Sequence, residues 1–259
     1  MYNILEMIYL GGNTMTNMPH VKLGIVAVSR DCFPIELSTN RRKAVVAACQ
    51  EKDIQIVEIP TTIENEKDVL QALKELEENQ VNALVVYLGN FGPEGPATLL
   101  AQKFNKPTMF VAAAEESQDN LFNGRGDAYC GMLNASYSLG LRKLNPYIPE
   151  YPVGVPSEIA DMIKDFTDIA RVLLGLSALK IFSFGPRPQD FLACNAPIKP
   201  LFDLGVEIME NSELDLFESF NNHANDPRIP DLVHEMEQEL DAGNNHPGIL
   251  TKLAQYELT

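Results

Sequence analysis

The stretch Lys22–Glu115 holds four short apolar runs, KLGIVAVS at 22–29, IQIVEIP at 54–60, ALVVYLG at 83–89 and TMFVAAA at 108–114. Helical patterns separate them, so the spacing predicts a βαβ-type α/β domain with a mainly parallel sheet. The first helix is expected over about Leu37–Glu51, its apolar stripe formed by Val45, Val46, Ala48 and Cys49. The second has a marked start, Asn65 followed three residues later by Asp68, with Val69, Leu70, Leu73 and Leu76 behind it. The run Ala83–Leu88 is continuously apolar, as for a strand covered on both faces. The second run is expected to end at Pro60, and a further helix to cover Ala97–Phe104.

After Glu115 the rhythm changes. GRGDAYCGMLNASYSLGLRKL (124–144) reads as a glycine-interrupted helix and PYIPEYPVGVP (146–156) as a connector, so the domains divide as 22–152 and 153–259. The second α/β unit begins with an amphipathic helix capped by Ser157. Its strands are Lys180–Phe184 and Val206–Met209; Pro197 and Pro200 break the helical pattern between them, and Ser212 to Asp215 starts another helix. Two strands supply too little apolar face for a free-standing sheet, so this second Rossmann-like unit reads as incomplete, the front part of something longer. Residues 1–21 read as a leader. Gly11-Gly12 shortly before Met15 is what a translated ribosome-binding sequence would encode, so the native start is expected at Met15 or Met18.

A net charge of −16 and a pI near 4.6 disfavour nucleic acid or an anionic membrane as partner. A neutral or metal-assisted small substrate fits better. No window approaches the roughly 20 apolar residues of a membrane span, and MYNILEMIYLGG has no Lys or Arg before Lys22, so the expected location is cytoplasmic. The cysteines, at 32, 49, 130 and 194, form no C-x-x-C pair and read as reduced core thiols.

In an open parallel sheet, ligands bind beyond the carboxyl ends of the strands. Two loops belong there, Ser29 to Phe33 and Gly89 to Gly95. Arg30 and Asp31 follow the first strand directly, either as a surface turn or as a charged pair at the ligand edge. The glycines at 89, 92 and 95 do not have dinucleotide-fingerprint spacing, so their loop is a tight connection or a cradle for a hydroxyl-rich or anionic ligand. Phosphoacceptor signalling would need an Asp at the end of the third strand, where Leu88-Gly89-Asn90 stands. Arg187, between Pro186 and Pro188, suits packing, an inter-subunit ion pair or a substrate contact. Arg125-Gly126-Asp127 reads as a coincidental match to an adhesion motif. His20, His223, His234 and His246 are scattered and no H-E-x-x-H occurs, nor does a G-x-S-x-G nucleophile elbow.

KLGIVAVSRDCFP (22–34), GNFGPEGPATLLA (89–101), GRGDAYCGMLNASYSLGLR (124–142) and above all FSFGPRPQDFLACNAPIKPLFDLGVEIMENSELDL (182–216) together resemble the amino-terminal half of the L-fucose isomerase and L-arabinose isomerase family, in its fucose-isomerase-like branch. The resemblance implies two α/β domains, assembly as a homo-oligomer (trimer or hexamer), and aldose–ketose interconversion in carbohydrate metabolism assisted by a divalent ion, typically manganese. It also implies that the metal-binding acids and histidine lie outside this chain, which alone is then inactive, with no cofactor of its own and no catalytic residue. Carried over by position, Arg30, Asp31, Asn90, Phe91 and Glu94 would be sugar-covering groups. A non-catalytic α/β sugar-binding or assembly module is the alternative.

Overall fold

The computed structural model describes residues 18–115, 125–185, 189–194, 197–240 and 243–259. Most of the expected leader therefore lies outside the described residues, as does Arg187. The chain forms two compact units, Met1–Gly175 and Leu176–Thr259.

The first unit is an α/β domain around a five-stranded parallel sheet. Its elements run β1 (Leu23–Val28), α1 (Ile35–Glu51), β2 (Ile56–Ile63), α2 (Glu66–Glu78), β3 (Ala83–Leu88), α3 (Glu94–Phe104), β4 (Thr108–Ala113), α4 (Ala128–Leu141), β5 (Val153–Gly154) and α5 (Pro156–Ser177). The strand order is β2-β1-β3-β4-β5. Every residue of β1, β3 and β4 is buried, because right-handed crossovers lay helices on both faces. Helices α2, α3 and α4 pack side by side in one layer. On the other, the Lys52 ammonium just beyond α1 donates to the Ser157 carbonyl and the Asp161 carboxylate of α5.

The second strand runs past Pro60 to Ile63, three residues beyond the expected end. Proline lacks only an N–H, and β2 is a sheet edge where that donor has no ladder partner to lose. The register shows the accommodation: Ile25 pairs with Glu58 but Ala27 with Thr62, so β2 bulges around Pro60. The Arg42 guanidinium holds the bulge, donating to Glu58, the Pro60 carbonyl and Thr62 Oγ1 at 3.0–3.2 Å. At Asn65 the capping box is complete: its side chain accepts from Lys67 and Asp68 N–H, and the Asp68 carboxylate accepts from Asn65 N–H.

The division between units falls after Gly175, not at residue 152. Helix α5 closes the first core: Ile159, Ile163, Phe166 and Ala170 are fully buried, and Phe166 stacks on Tyr147 at 6.0 Å between ring centroids. The proline-rich connector is part of that core as well, since it supplies β5 and a bridge from Tyr147 to Met109.

The second unit has β6 (Lys180–Phe184), α6 (Ile198–Asp203), β7 (Glu207–Asn211), α7 (Glu213–Asn222), α8 (Ile229–Leu240) and α9 (Leu250–Glu257). Strands β6 and β7 pair in parallel as a two-stranded sheet. As expected, Ser212 and Asp215 form a capping box, and Pro197 starts α6 as its N-cap, confining that helix to six residues. All five residues of β6 are exposed, among them Ile181, Phe182 and Phe184.

Of the four thiols only Cys49 is buried; Cys32, Cys130 and Cys194 are exposed and unpaired, contrary to the expectation of four core cysteines. The first two sit beyond β1 and on the outer side of α4, positions that hydrophobicity alone does not reveal. Burial pushes the Cys49 thiol up to about 11 from 9.0. The unfolded state therefore loses this proton first, and the contribution of Cys49 to stability, present below pH 9, declines as pH rises towards 11. A thiol reagent at neutral pH should label three cysteines rapidly and Cys49 only as the first unit opens. Mass spectrometry of the partially labelled protein checks this, and rapid modification of Cys49 would contradict the assigned core.

Candidate functional site

A sheet ordered 2-1-3-4-5 reverses direction between β1 and β3, and the crevice beyond the carboxyl ends of those two strands is where such folds take ligands. Two loops leave the sheet there. The β1 loop carries Arg30 and Asp31; the β3 loop carries Asn90, Phe91 and Glu94. Four of these five residues converge. Arg30 donates through Nε to the Gly92 carbonyl and through Nη2 to Glu94 Oε1, both at 3.1 Å. Its guanidinium carbon lies 4.5 Å from the centroid of the Phe91 ring. Phe91 in turn stacks on Phe33 at 6.2 Å and 12°. Asp31 is exposed and makes none of these contacts.

Asn90 has a different standing. It is fully buried, and its amide uses its whole hydrogen-bonding capacity. Oδ1 accepts from Arg30 N–H at 3.1 Å and Gly92 N–H at 3.2 Å, while Nδ2 donates to Ser29 Oγ at 2.9 Å and the Pro34 carbonyl at 3.4 Å. One side chain thus ties the β1 loop to the β3 loop. Gly92 completes the turn with φ of +68°, and a Cβ there would lie 2.7 Å from Val28 Cγ2, so only glycine fits.

Arg30 and Glu94 keep about a third of their side-chain surface exposed, at 32% and 34%. Two of the five guanidinium N–H groups are engaged by Gly92 and Glu94, and the other three have no partner among the described residues. Glu94 sits in the first turn of α3, where the helix dipole favours a carboxylate. The pair offers donors and acceptors beside an aromatic surface, a combination suited to a polyhydroxylated ligand.

A second ion pair borders the crevice and has no counterpart among the expected site residues. Arg41, 8% exposed, donates to the Gly89 carbonyl and the Glu115 carboxylate, both at 2.8 Å. The other Glu115 oxygen accepts from the N–H groups of Gly126 and Asp127. The tripeptide Arg125-Gly126-Asp127 is thereby held against the carboxyl end of β4, with Arg125 Nε donating to Asp127. A signal for Arg41 does exist in the sequence: it stands four residues before Val45 and so belongs to the buried stripe of α1.

Among the described residues, no group of three His, Cys, Asp or Glu is placed to hold a metal ion. The manganese implied by the resemblance therefore has no fitting donor set among them. His234 and Glu235 are both exposed on α8. A large open depression, about 810 Å³, lies at the other edge of the sheet, lined by His20, Lys22, Gln50, Asp53, Gln80 and Asn82. It is at the amino ends of the strands, away from the switch point. No helix among the described residues is long and apolar enough to cross a membrane.

Residues 24–177 match the family model described as fucose/sulfoquinovose isomerase, N-terminal domain. The match covers β1 to the end of α5, and so the whole crevice. Among solved structures, the chain is similar to a galactofuranose binding protein at 10% identity, over 78% of this chain and 79% of that one, with a TM-score of 0.26. No curated protein sequence matches the chain.

The two kinds of site residue should separate in stability measurements. Asn90→Ala strands two backbone N–H groups and is expected to cost about 3 kcal/mol. Arg30→Ala removes a solvent-screened pair and one cation–π contact, and should cost about 1 kcal/mol or less. Urea unfolding followed by circular dichroism reads both values; equal costs would refute the division between clamp and rim.

Proposed function

Because the chain belongs to the fucose/sulfoquinovose isomerase N-terminal domain family, we propose that it is the amino-terminal α/β portion of a metal-dependent aldose–ketose isomerase, contributing the groups that cover the sugar. The convergence of Arg30, Phe91 and Glu94 on the switch point, inside the matched region, carries this reading. Arg30 donates to sugar hydroxyls, Glu94 and Asp31 accept from them, and the Phe91–Phe33 surface excludes water from the apolar face of the ring. Asn90 touches no substrate in this reading; it fixes the relative position of the two loops. A divalent ion in the assembled enzyme would supply polarisation of the sugar's carbonyl and hydroxyl oxygens, and none of the described residues of this chain is assigned to hold it. A cytoplasmic homo-oligomer, trimer or hexamer, belongs to the same proposal.

A second reading is a sugar-binding or assembly module without turnover. An isomerisation assay with L-fucose, L-arabinose and manganese separates the two. It is run on this polypeptide alone and on its mixture with the product of the reading frame directly downstream. The polypeptide alone is expected to convert neither sugar, whereas the mixture converts one. Arg30→Ala in this chain should then lower kcat/KM about tenfold, equivalent to about 1.4 kcal/mol of lost contact. Turnover by the polypeptide alone would overturn the first reading, and sugar binding without turnover in the mixture would establish the second.

A further inference from the structure

Helix α4 carries no charged residue over its 14 positions, AYCGMLNASYSLGL. At 22% charged residues, a segment of that length averages about three charges. One side of the helix explains itself: Ala128, Gly131, Met132, Ala135 and Leu139 are buried against the sheet and its loops. The opposite side does not. Tyr129, Leu133, Tyr137 and Leu141 are 51%, 56%, 71% and 68% exposed, and their spacing of four makes one continuous ridge. The exposed positions beside the ridge, Cys130, Asn134, Ser136 and Gly140, are uncharged. Helix α2, in the same layer, shows what an ordinary solvent face looks like here, since it presents Lys74, Glu77 and Glu78 around a single exposed Leu70. A continuous exposed ridge of large hydrophobic side chains with no charge beside it marks an interaction surface.

We propose that the outer face of α4 is a two-fold contact between copies of this chain, α4 packing antiparallel on α4 of the second copy. Charge argues for a copy as the occupant. With 36 acidic and 20 basic residues, two copies repel each other over most of their surface, and they meet at low cost only where both are uncharged. Shape argues the same way. Ridges spaced by four interdigitate with their own kind in the commonest class of helix packing, and a two-fold contact must be self-complementary. Size is sufficient: the four ridge side chains leave about 500 Å² exposed, so pairing buries about 1,000 Å² in total, the threshold for a specific interface. The contact also reaches the crevice. On the inner side of α4, a Cβ on Gly131 would stand 1.8 Å from the Phe91 carbonyl oxygen, so the helix rests directly on the loop that bears Phe91.

Pairing centred between Leu133 and Tyr137 places Cys130 of one copy opposite Gly140 of the other. An added Cβ at Gly140 meets nothing within 4 Å, so a side chain is tolerated there. Gly140→Cys should therefore yield a covalent dimer under mild oxidation, and adding Cys130→Ser should abolish it. In sedimentation equilibrium, the native chain is expected as an even-numbered oligomer, which of the two assemblies named above is the hexamer and not the trimer. Leu133→Glu with Tyr137→Glu should halve its mass while leaving the circular dichroism spectrum unchanged, and Leu70→Glu on α2 should leave the mass unchanged. A monomeric native chain, an unaltered mass in the double variant, or an oligomer that fails to cross-link through Cys130 would each overturn the proposal.

Discussion

The crevice depends on the Asn90 amide. Two loops leave neighbouring parallel strands at the point where the chain winds outward in both directions, and nothing in the sheet ladder holds them to each other beyond Val28 and Leu88. Asn90 bonds Ser29, Arg30 and Pro34 on one side and Gly92 on the other, all from a site closed to water. Each bond replaces one that water would otherwise make to a buried group, so their worth lies less in net stability than in the penalty for leaving any of them unmade. The guanidinium of Arg30 can then lie across Phe91 without first ordering the loop that carries it. Arg41 and Glu115 repeat the device at the next strand, fixing the segment that leads into α4.

The two units are held by different amounts of apolar burial. In the first, three strands are closed on both faces and the core extends through Phe166 and Ala170 of α5. In the second, neighbouring residues of β6 point to opposite faces of the sheet, and Ile181 and Phe182 are both exposed. Two parallel strands without a covered face gain little from burial, and parallel pairing is the weaker kind. Among the described residues of this unit, Val206, Ile229, Leu250 and Ala254 are the buried hydrophobic ones.

Strand identity is legible where burial is two-sided, because an unbroken run such as ALVVYL admits little else between helical patterns, and β3 and β4 span the expected residues; β6 does so too, although all five of its residues are exposed. The caps at Asn65 and Ser212 were legible too, since their chemistry is local. Misreadings arose where tertiary context prevails. Pro60 stops a central strand and not an edge one, and edge position is unknowable before the strand order is. The helix after Pro156 looked like the start of a new domain because a proline-rich stretch precedes it, yet its stripe belongs to the first core. Within the crevice, topology places the loops Ser29 to Phe33 and Gly89 to Gly95, and the family resemblance singles out Arg30, Asp31, Asn90, Phe91 and Glu94 within them. Neither reveals that Asn90 faces inward or that Asp31 stays outside the cluster. Arg41 stands four residues before Val45 on the buried stripe of α1, so helical spacing marks it as inward-facing although arginine is mostly a surface residue.

Helix α4 connects these observations. Its inner face requires glycine where it crosses Phe91, its start is fixed by Glu115, and its outer face lacks the charges that keep the rest of this acidic chain apart. A loop that must hold an arginine over an aromatic ring gains rigidity from whatever presses on its far side. An oligomeric contact on α4 would press there, through a single helix thickness of about 10 Å. Assembly and the order of the crevice would then be coupled through packing alone, because both close on the same helix and neither needs a residue to move.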